Sequence, residues 1–336
     1  MRSSSFRRNN DLEILLQELG ELLGPGNSKL LEQHSGEDMP KVFVCGPLRS
    51  GTTLFMQWLA SLGYFAYPTN LLSRFYSAPL VGVKVQELLT SPRYSFRDEL
   101  SDLTPVTDFK SENGKTSGAL SPNEFWYFWR RFLGPEDVAD LSSIARKEAI
   151  DLAGLSDELN ALANIFSRPL AIKGMIINEC IPQVSALFRR ALFVRIRRNP
   201  VYNIQSVLRA RERQLGSRSS WYSFKIRAYP ELKGLSAIDS AAGQIYHLEK
   251  ALDSGFSILR EDQCLTVEYE DFCSNPERVY QALREKMAGF RSVPQMPGSY
   301  EGVSSFDVDK AWRLDDISPA EVEAAYRRFV TQNREC

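Results

Sequence analysis

One octet limits the fold of this chain more than any other stretch. It is Gly46-Pro47-Leu48-Arg49-Ser50-Gly51-Thr52-Thr53, set between the apolar run Lys41 to Cys45 and a helical stripe of Leu54, Phe55, Trp58, Leu59 and Leu62. A buried strand, a glycine-bearing turn and a helix in that order make the first half of a parallel-sheet unit. The two glycines let the backbone wrap an anion, while successive amides and the helix N-terminus direct partial positive charge inward. Pro169 to Lys173, Ala191 to Ile196 and Gln263 to Tyr269 are further apolar runs of strand length. The second runs into Asn199-Pro200, an N-cap followed by a proline suited to the first helical turn. Asn275-Pro276 repeats that signal before a helix ending at Gly289, and Ser318-Pro319 with Glu321 forms a capping box for the last helix. Strands alternating with helices imply an α/β fold with a central, mostly parallel sheet and helices on both faces.

Elsewhere the periodicity is more uneven. Leu12, Leu15, Leu16, Leu19, Leu22 and Leu23 predict an amphipathic helix that Gly24-Pro25-Gly26 should stop. Residues 64–130 are weakly periodic and rich in Pro, Ser and Tyr, with a polar tract around Ser111 to Ser117, and Leu155 to Phe166 reads as helix. The expected organisation is a helical N-terminal extension over 1–38 and one α/β domain over 39–336, interrupted by an insertion at about 64–165. No internal repeat is present.

Composition narrows the function by exclusion. Forty-one basic and forty-two acidic side chains leave a net charge of −1, which supplies no global field for nucleic acid, so any anion site must be local. Five cysteines at 45, 180, 264, 273 and 336 form no C-x-x-C pair and fit a reducing cytoplasm better than a disulfide framework. His34 and His247 are the only histidines, and neither sits in a metal-ligand pattern, so no metal is expected. Arg2, Arg7 and Arg8 are followed by Asp11, Glu13 and Glu18 before any signal-type apolar segment forms. No run of about eighteen apolar residues suggests a membrane span.

The octet departs from the nucleoside-triphosphate form of such a loop. That form places Lys after the second glycine to reach the β and γ phosphates, and here the position is Thr52. Arg49 supplies the positive charge from inside the loop instead, so the site suits a phosphate but is poorly equipped for a triphosphate with its metal.

Arg49-Ser50-Gly51-Thr52-Thr53 after a strand resembles the 5′-phosphosulfate loop of the sulfotransferases that use 3′-phosphoadenosine 5′-phosphosulfate (PAPS). The family's second motif, a strand ending in Arg, then Asp or Asn, then Pro, with Ser eight residues after the Arg, is matched by Arg198-Asn199-Pro200 and Ser206. The resemblance implies a sulfotransferase architecture of the P-loop-like type, closest in style to the carbohydrate and tyrosylprotein enzymes. It further implies that Arg49, Ser50, Gly51, Thr52 and Thr53 bind the donor's 5′ end and that Arg198 and Ser206 bind its 3′-phosphate. Guanidinium matches phosphate bidentately. Val267-Glu268-Tyr269-Glu270-Asp271-Phe272 is similar to the family's closing strand and helix, and its carboxylates are read as structural.

The same resemblance implies transfer of a sulfuryl group to a hydroxyl acceptor, carbohydrate or small-molecule alcohol, with residues 64–165 on the acceptor side. Lys173, at a strand end before the second motif, then stabilises charge on the transferring group, and Arg49 assists. For the base, Glu87, Asp98, Glu99, Glu124 and His247 are available. Glu124 is preferred because Phe125-Trp126-Tyr127-Phe128-Trp129 would shape an aromatic pocket around it, although residues 125, 128, 129 and 132 also follow core spacing. Lys310, Trp312 and Arg313 are candidates for a late loop over the nucleotide. Two alternatives stay open: a nucleotide kinase or other P-loop NTPase, and a non-catalytic nucleotide-binding module.

Overall fold

The short apolar runs are strands because their side chains bury on both sides of a sheet. In the computed structural model they are β1 (Lys41–Cys45), β2 (Leu170–Lys173), β3 (Ala191–Arg197) and β4 (Cys264–Glu268). Residues 9–36, 38–95, 97, 99–100, 102–103, 108–112, 114–133, 151–290 and 293–332 are described. Arg2, Arg7, Arg8, Asp98 and Cys336 lie outside them. Among the described residues the sheet has the order β2-β1-β3-β4 with every pairing parallel. Alternate residues of β1 enter two separate cores, Phe43 and Cys45 on one face, Val42 and Val44 on the other. That is the two-faced burial expected of a parallel sheet.

Helices fill both faces. They are α1 (Asn10–His34), α2 (Thr52–Ser61), α3 (Pro79–Thr90), α4 (Trp126–Leu133), α5 (Leu152–Phe166) and α6 (Ile181–Leu187), followed by α7 (Pro200–Leu215), α8 (Tyr229–Leu232) and α9 (Ala237–Phe256). After β4 come α10 (Tyr269–Ser274), α11 (Pro276–Ala288) and α12 (Pro319–Gln332). Phe55, Trp58 and Leu59 of α2 and Leu283 of α11 pack on the Val42 face. Leu155 and Leu162 of α5 and Ile245 and Leu248 of α9 pack on the Phe43 face. Asn199 and Asn275 cap α7 and α11 as their spacing indicates, accepting from Val201 N and Arg278 N. No described helix is long and apolar enough to cross a membrane.

Two elements differ from the sequence reading. First, α1 does not stop at Gly24-Pro25-Gly26 but runs through it to His34. A proline and two glycines inside a helix cost roughly 3 and 1 kcal/mol each, so tertiary contacts must offset them. Asn27, 5% exposed, accepts from Leu80 N at 2.9 Å and donates to Glu158 Oε1 at 3.3 Å. Arg131 holds the same Glu158 at 2.8 and 2.9 Å. The second half of α1 is therefore stitched to α3, α4 and α5. Second, the weakly periodic stretch contains α3, started by Pro79 in its first turn and buried through Leu80 and Val83.

In this topology β1 is flanked by β2 and β3, and the connections leaving β1 and β3 diverge to opposite faces of the sheet. Such a point opens a crevice at the strand C-termini, where open α/β sheets bind ligands. The octet, Lys173 and Arg198 all lie at that edge, because Val44 pairs with Lys173 and Cys45 with Arg195.

Candidate active site

The loop is held in shape from below. Asn178, 1% exposed, donates to Gly46 O at 2.8 Å and accepts from Gly46 N at 3.3 Å. With its amide oriented to donate, buried Asn203 of α7 reaches Arg49 O at 3.2 Å. Arg49 has φ +64, a left-handed conformation that non-glycine residues adopt at a cost. Gly51 has φ +101, and a Cβ there would lie 2.3 Å from the Tyr269 ring. Gly51→Ala should therefore destabilise the protein by roughly 2–4 kcal/mol through backbone strain and displacement of Tyr269. A thermal melt checks this, with a fall of several degrees expected. Gly51 offers no side-chain cap to α2, leaving its first amides turned toward the loop.

The second motif closes on the first. Arg198 Nη1 donates to Arg49 O at 3.0 Å, and its guanidinium lies 4.8 Å from the Tyr269 ring centroid. Its Nε is buried without a partner among the described residues. Ser206 Oγ accepts from Arg49 Nε at 3.0 Å. Thus Arg49, Arg198 and Ser206, read from separate motifs, form one cluster. Glu268 pairs with Arg197, and Glu270 accepts from Asn199 N at 3.3 Å, so both make structural contacts. Ser50 is fully buried, and its hydroxyl has no partner among the described residues.

Next to this cluster is a cavity of about 440 Å³ lined by Arg49, Ser206, Arg209, Arg213 and Arg313 together with Glu112 and Glu212, of which Glu112 pairs with Arg213. Arg209 and Arg213 were not singled out from the sequence, although Arg209 lies three residues after Ser206 and Arg213 four after Arg209, which places them on one face of α7. The late loop contributes only in part. Gln205 Oε1 accepts from Arg313 N at 2.6 Å, which brings Arg313 to the cavity, whereas Trp312 donates to Ile317 O at 2.7 Å and packs on the core. Lys310 is exposed and lines neither of the cavities described here.

On the other side of the loop, a cavity of about 590 Å³ holds Thr52, Thr53, Arg198, Lys173 and Glu124 in its wall. Lys173, 5% exposed, donates from Nζ to Thr53 Oγ1 at 2.8 Å and to Glu124 Oε1 at 2.5 Å. Lys173 O in turn accepts from Trp129 Nε1 at 3.2 Å. The Glu124 side chain is 42% exposed, and the next residue, Phe125, has φ +53. The aromatic run splits by helical phase. Phe125, Phe128, Trp129 and Phe132 are core, while Trp126 and Tyr127 face the cavity. The aromatic pocket expected around Glu124 is thus built by two of these rings, with a lysine as the carboxylate's direct partner.

The other base candidates are elsewhere. Glu87 pairs with Lys84 on the outer face of α3, and Glu99 is exposed in a turn. His247 packs against the Tyr246 and Phe329 rings on α9, where burial pushes its pKa below the ordinary value. Burial pushes the Cys180 thiol up to about 12 and the Cys45 thiol well above its usual range, so neither is a ready nucleophile. Among the described residues no group of three or more His, Cys, Asp or Glu is placed to hold a metal ion.

A family model described as the sulfotransferase family matches residues 40–288. No curated protein matches the chain significantly. Among solved structures, a sulfotransferase from Mycobacterium avium is 13% identical with a TM-score of 0.51, over 93% of this chain and 72% of that one. Another from Mycobacterium tuberculosis is 12% identical with a TM-score of 0.50, over 93% of this chain and 81% of that one. At such identities the likeness concerns the fold.

Proposed function

The chain belongs to the sulfotransferase family, and from that premise we propose that it transfers the sulfuryl group of PAPS to a hydroxyl acceptor, a carbohydrate or small-molecule alcohol. The observation that carries this reading is the Lys173 ammonium, bridging the loop hydroxyl of Thr53 and the carboxylate of Glu124 at the floor of an open cavity. It is a cation located between an anion-wrapping loop and a potential base.

The residues fit a nucleotide carrying phosphates at both ends. Ser50 Oγ and Arg198 Nε are buried polar atoms without a partner among the described residues, and the cavity beyond Arg49, where four arginines outnumber Glu112 and Glu212, suits a second anion. In this reading Arg49, Ser50, Gly51, Thr52 and Thr53 hold the 5′ end, and Arg198 and Ser206 hold the 3′-phosphate. When bound, PAPS supplies a sulfuryl group whose bond to the 5′-phosphate breaks, the electron pair leaving on the phosphate, as the acceptor oxygen bonds to sulfur. Lys173, helped by Arg49, sets positive charge where negative charge grows. Glu124, an acceptor-only carboxylate, takes the hydroxyl proton. No step in this scheme calls for a metal. Residues 39–336 are read as one catalytic domain with 64–165 on the acceptor side, and the cysteine pattern supports a cytoplasmic setting.

Thermal stability in adenosine 3′,5′-bisphosphate, adenosine 5′-monophosphate and ATP with magnesium, at equal concentration, tests the donor. The bisphosphate at about a hundred times its dissociation constant should add roughly 2.7 kcal/mol. Stabilisation by ATP with magnesium alone would instead favour a P-loop NTPase. Bisphosphate binding without turnover on any acceptor would favour a non-catalytic module.

A further inference from the structure

The part of the 590 Å³ cavity beyond Lys173 and Glu124 has a chemistry of its own. Trp126 and Tyr127 at the start of α4 meet Trp221, Tyr222 and Phe224 from the segment between α7 and α8. Trp126 stacks on Phe224 with centroids 5.8 Å apart and planes 28° apart, so two distant segments form one aromatic wall.

That wall is braced by polar groups behind it. Arg211, fully buried, donates to Arg218 O and Ser240 Oγ at 3.3 Å and to Gln244 Oε1 at 3.1 Å. Its guanidinium lies 5.4 Å from the Trp221 ring centroid. Gln244 Nε2 donates to Tyr222 O at 3.0 Å, and Trp221 Nε1 donates to Phe224 O at 3.0 Å. Among the described residues no carboxylate partners Arg211, so burying it is costly, and burial pushes its pKa down to about 10. The fold retains this costly group where it pins the segment carrying three of the wall's rings. On the other flank, Tyr127 donates to Glu13 Oε1 of α1 at 2.6 Å.

The lining discriminates between acceptor classes. A saccharide carries hydroxyls around its whole edge and calls for several acceptors to receive their protons, whereas a molecule with one hydroxyl on an apolar ring needs apolar enclosure and one polar end. Among the described lining residues Glu124 is the only carboxylate and Gln214 the only amide, and Lys115 and Lys225 can only donate, which leaves Ser111 and Ser223 as the further side-chain acceptors outside the loop and the rings. Resting on the sulfotransferase reading, we propose that the acceptor is a ring-bearing, largely apolar alcohol, such as a phenol or fused-ring alcohol, held against Trp126, Tyr222 and Phe224 with its hydroxyl at Lys173 and Glu124.

The test is calorimetric titration of 2-naphthol, and separately of lactose, into the full chain with and without adenosine 3′,5′-bisphosphate. Naphthol should bind once per chain and at least about tenfold more tightly than lactose. Trp126→Leu and Tyr222→Ala should each weaken naphthol about tenfold or more while the bisphosphate affinity moves less than about twofold, which also reports that the variants are folded. Lactose binding as tightly as naphthol, no naphthol binding, or naphthol binding indifferent to both substitutions overturns this inference. The bisphosphate titration reads the donor site separately. Failure there overturns the donor reading, while the naphthol isotherm of the ligand-free chain still decides the acceptor class.

Discussion

Glu124→Gln is expected to lower kcat by about 10²- to 10⁴-fold while leaving affinity for adenosine 3′,5′-bisphosphate nearly unchanged. The amide is the same size as the carboxylate and can accept a hydrogen bond from Lys173 through its oxygen, but it cannot take a proton from the acceptor. Single-turnover rates with saturating donor isolate this effect from product release. Lys173→Ala should also reduce kcat by about 10²- to 10³-fold, by analogy with loss of one preorganised charge-stabilising donor. The two substitutions should not be additive, because Lys173 Nζ and Glu124 Oε1 are 2.5 Å apart and each alters the other's setting. Equal activity in Glu124→Gln enzyme would remove Glu124 from the chemistry.

For Arg198→Ala the expected result lies in the donor's selectivity. Loss of a charge-assisted contact of about 1.5–3 kcal/mol should weaken adenosine 3′,5′-bisphosphate binding by roughly 10- to 100-fold. Adenosine 5′-monophosphate, which lacks the 3′-phosphate, should be affected far less. The ratio of the two dissociation constants therefore reports the 3′ contact itself. Arg198 also donates to Arg49 O, so loop distortion is an alternative route to weaker binding. Arg198→Lys separates them, since it keeps the charge but not the two-pronged geometry. A loop effect would weaken both nucleotides together, and an unchanged ratio in Arg198→Ala would rule out the proposed 3′ role.

Much of the sheet and of the loop's frame could be read from local rules. Glycines at 46 and 51, caps at Asn199 and Asn275 and the apolar runs act over a few residues, and they correctly indicated a parallel α/β sheet with helices on both faces. The family resemblance carried by Arg49–Thr53 and by Arg198, Asn199, Pro200 and Ser206 agrees with the family model match over residues 40–288. Asn178, by contrast, carries no local signal, because its importance lies in reaching Gly46 from another connection. Arg209 and Arg213 had the right helical spacing but no indication that α7 would turn that face toward Arg49.

The sequence by itself determined the strand–loop–helix at residues 41–61 and the strand-to-helix turn at Arg198, since sterics, capping and short-range periodicity decide both. Tertiary structure alone decided that α1 continues through Pro25, where buried bonds from Asn27 outweigh an unfavourable local preference. It alone brought Lys173 to Glu124 and Thr53, because β2 aligns beside β1 only through inter-strand register. The aromatic wall likewise exists only once the buried Arg211 network fixes Trp221 and Tyr222 in place and Phe224 meets Trp126 across the cavity. The difference is one of range: backbone conformation is set by neighbours along the chain, whereas a cavity is set by which distant surfaces exclude water together.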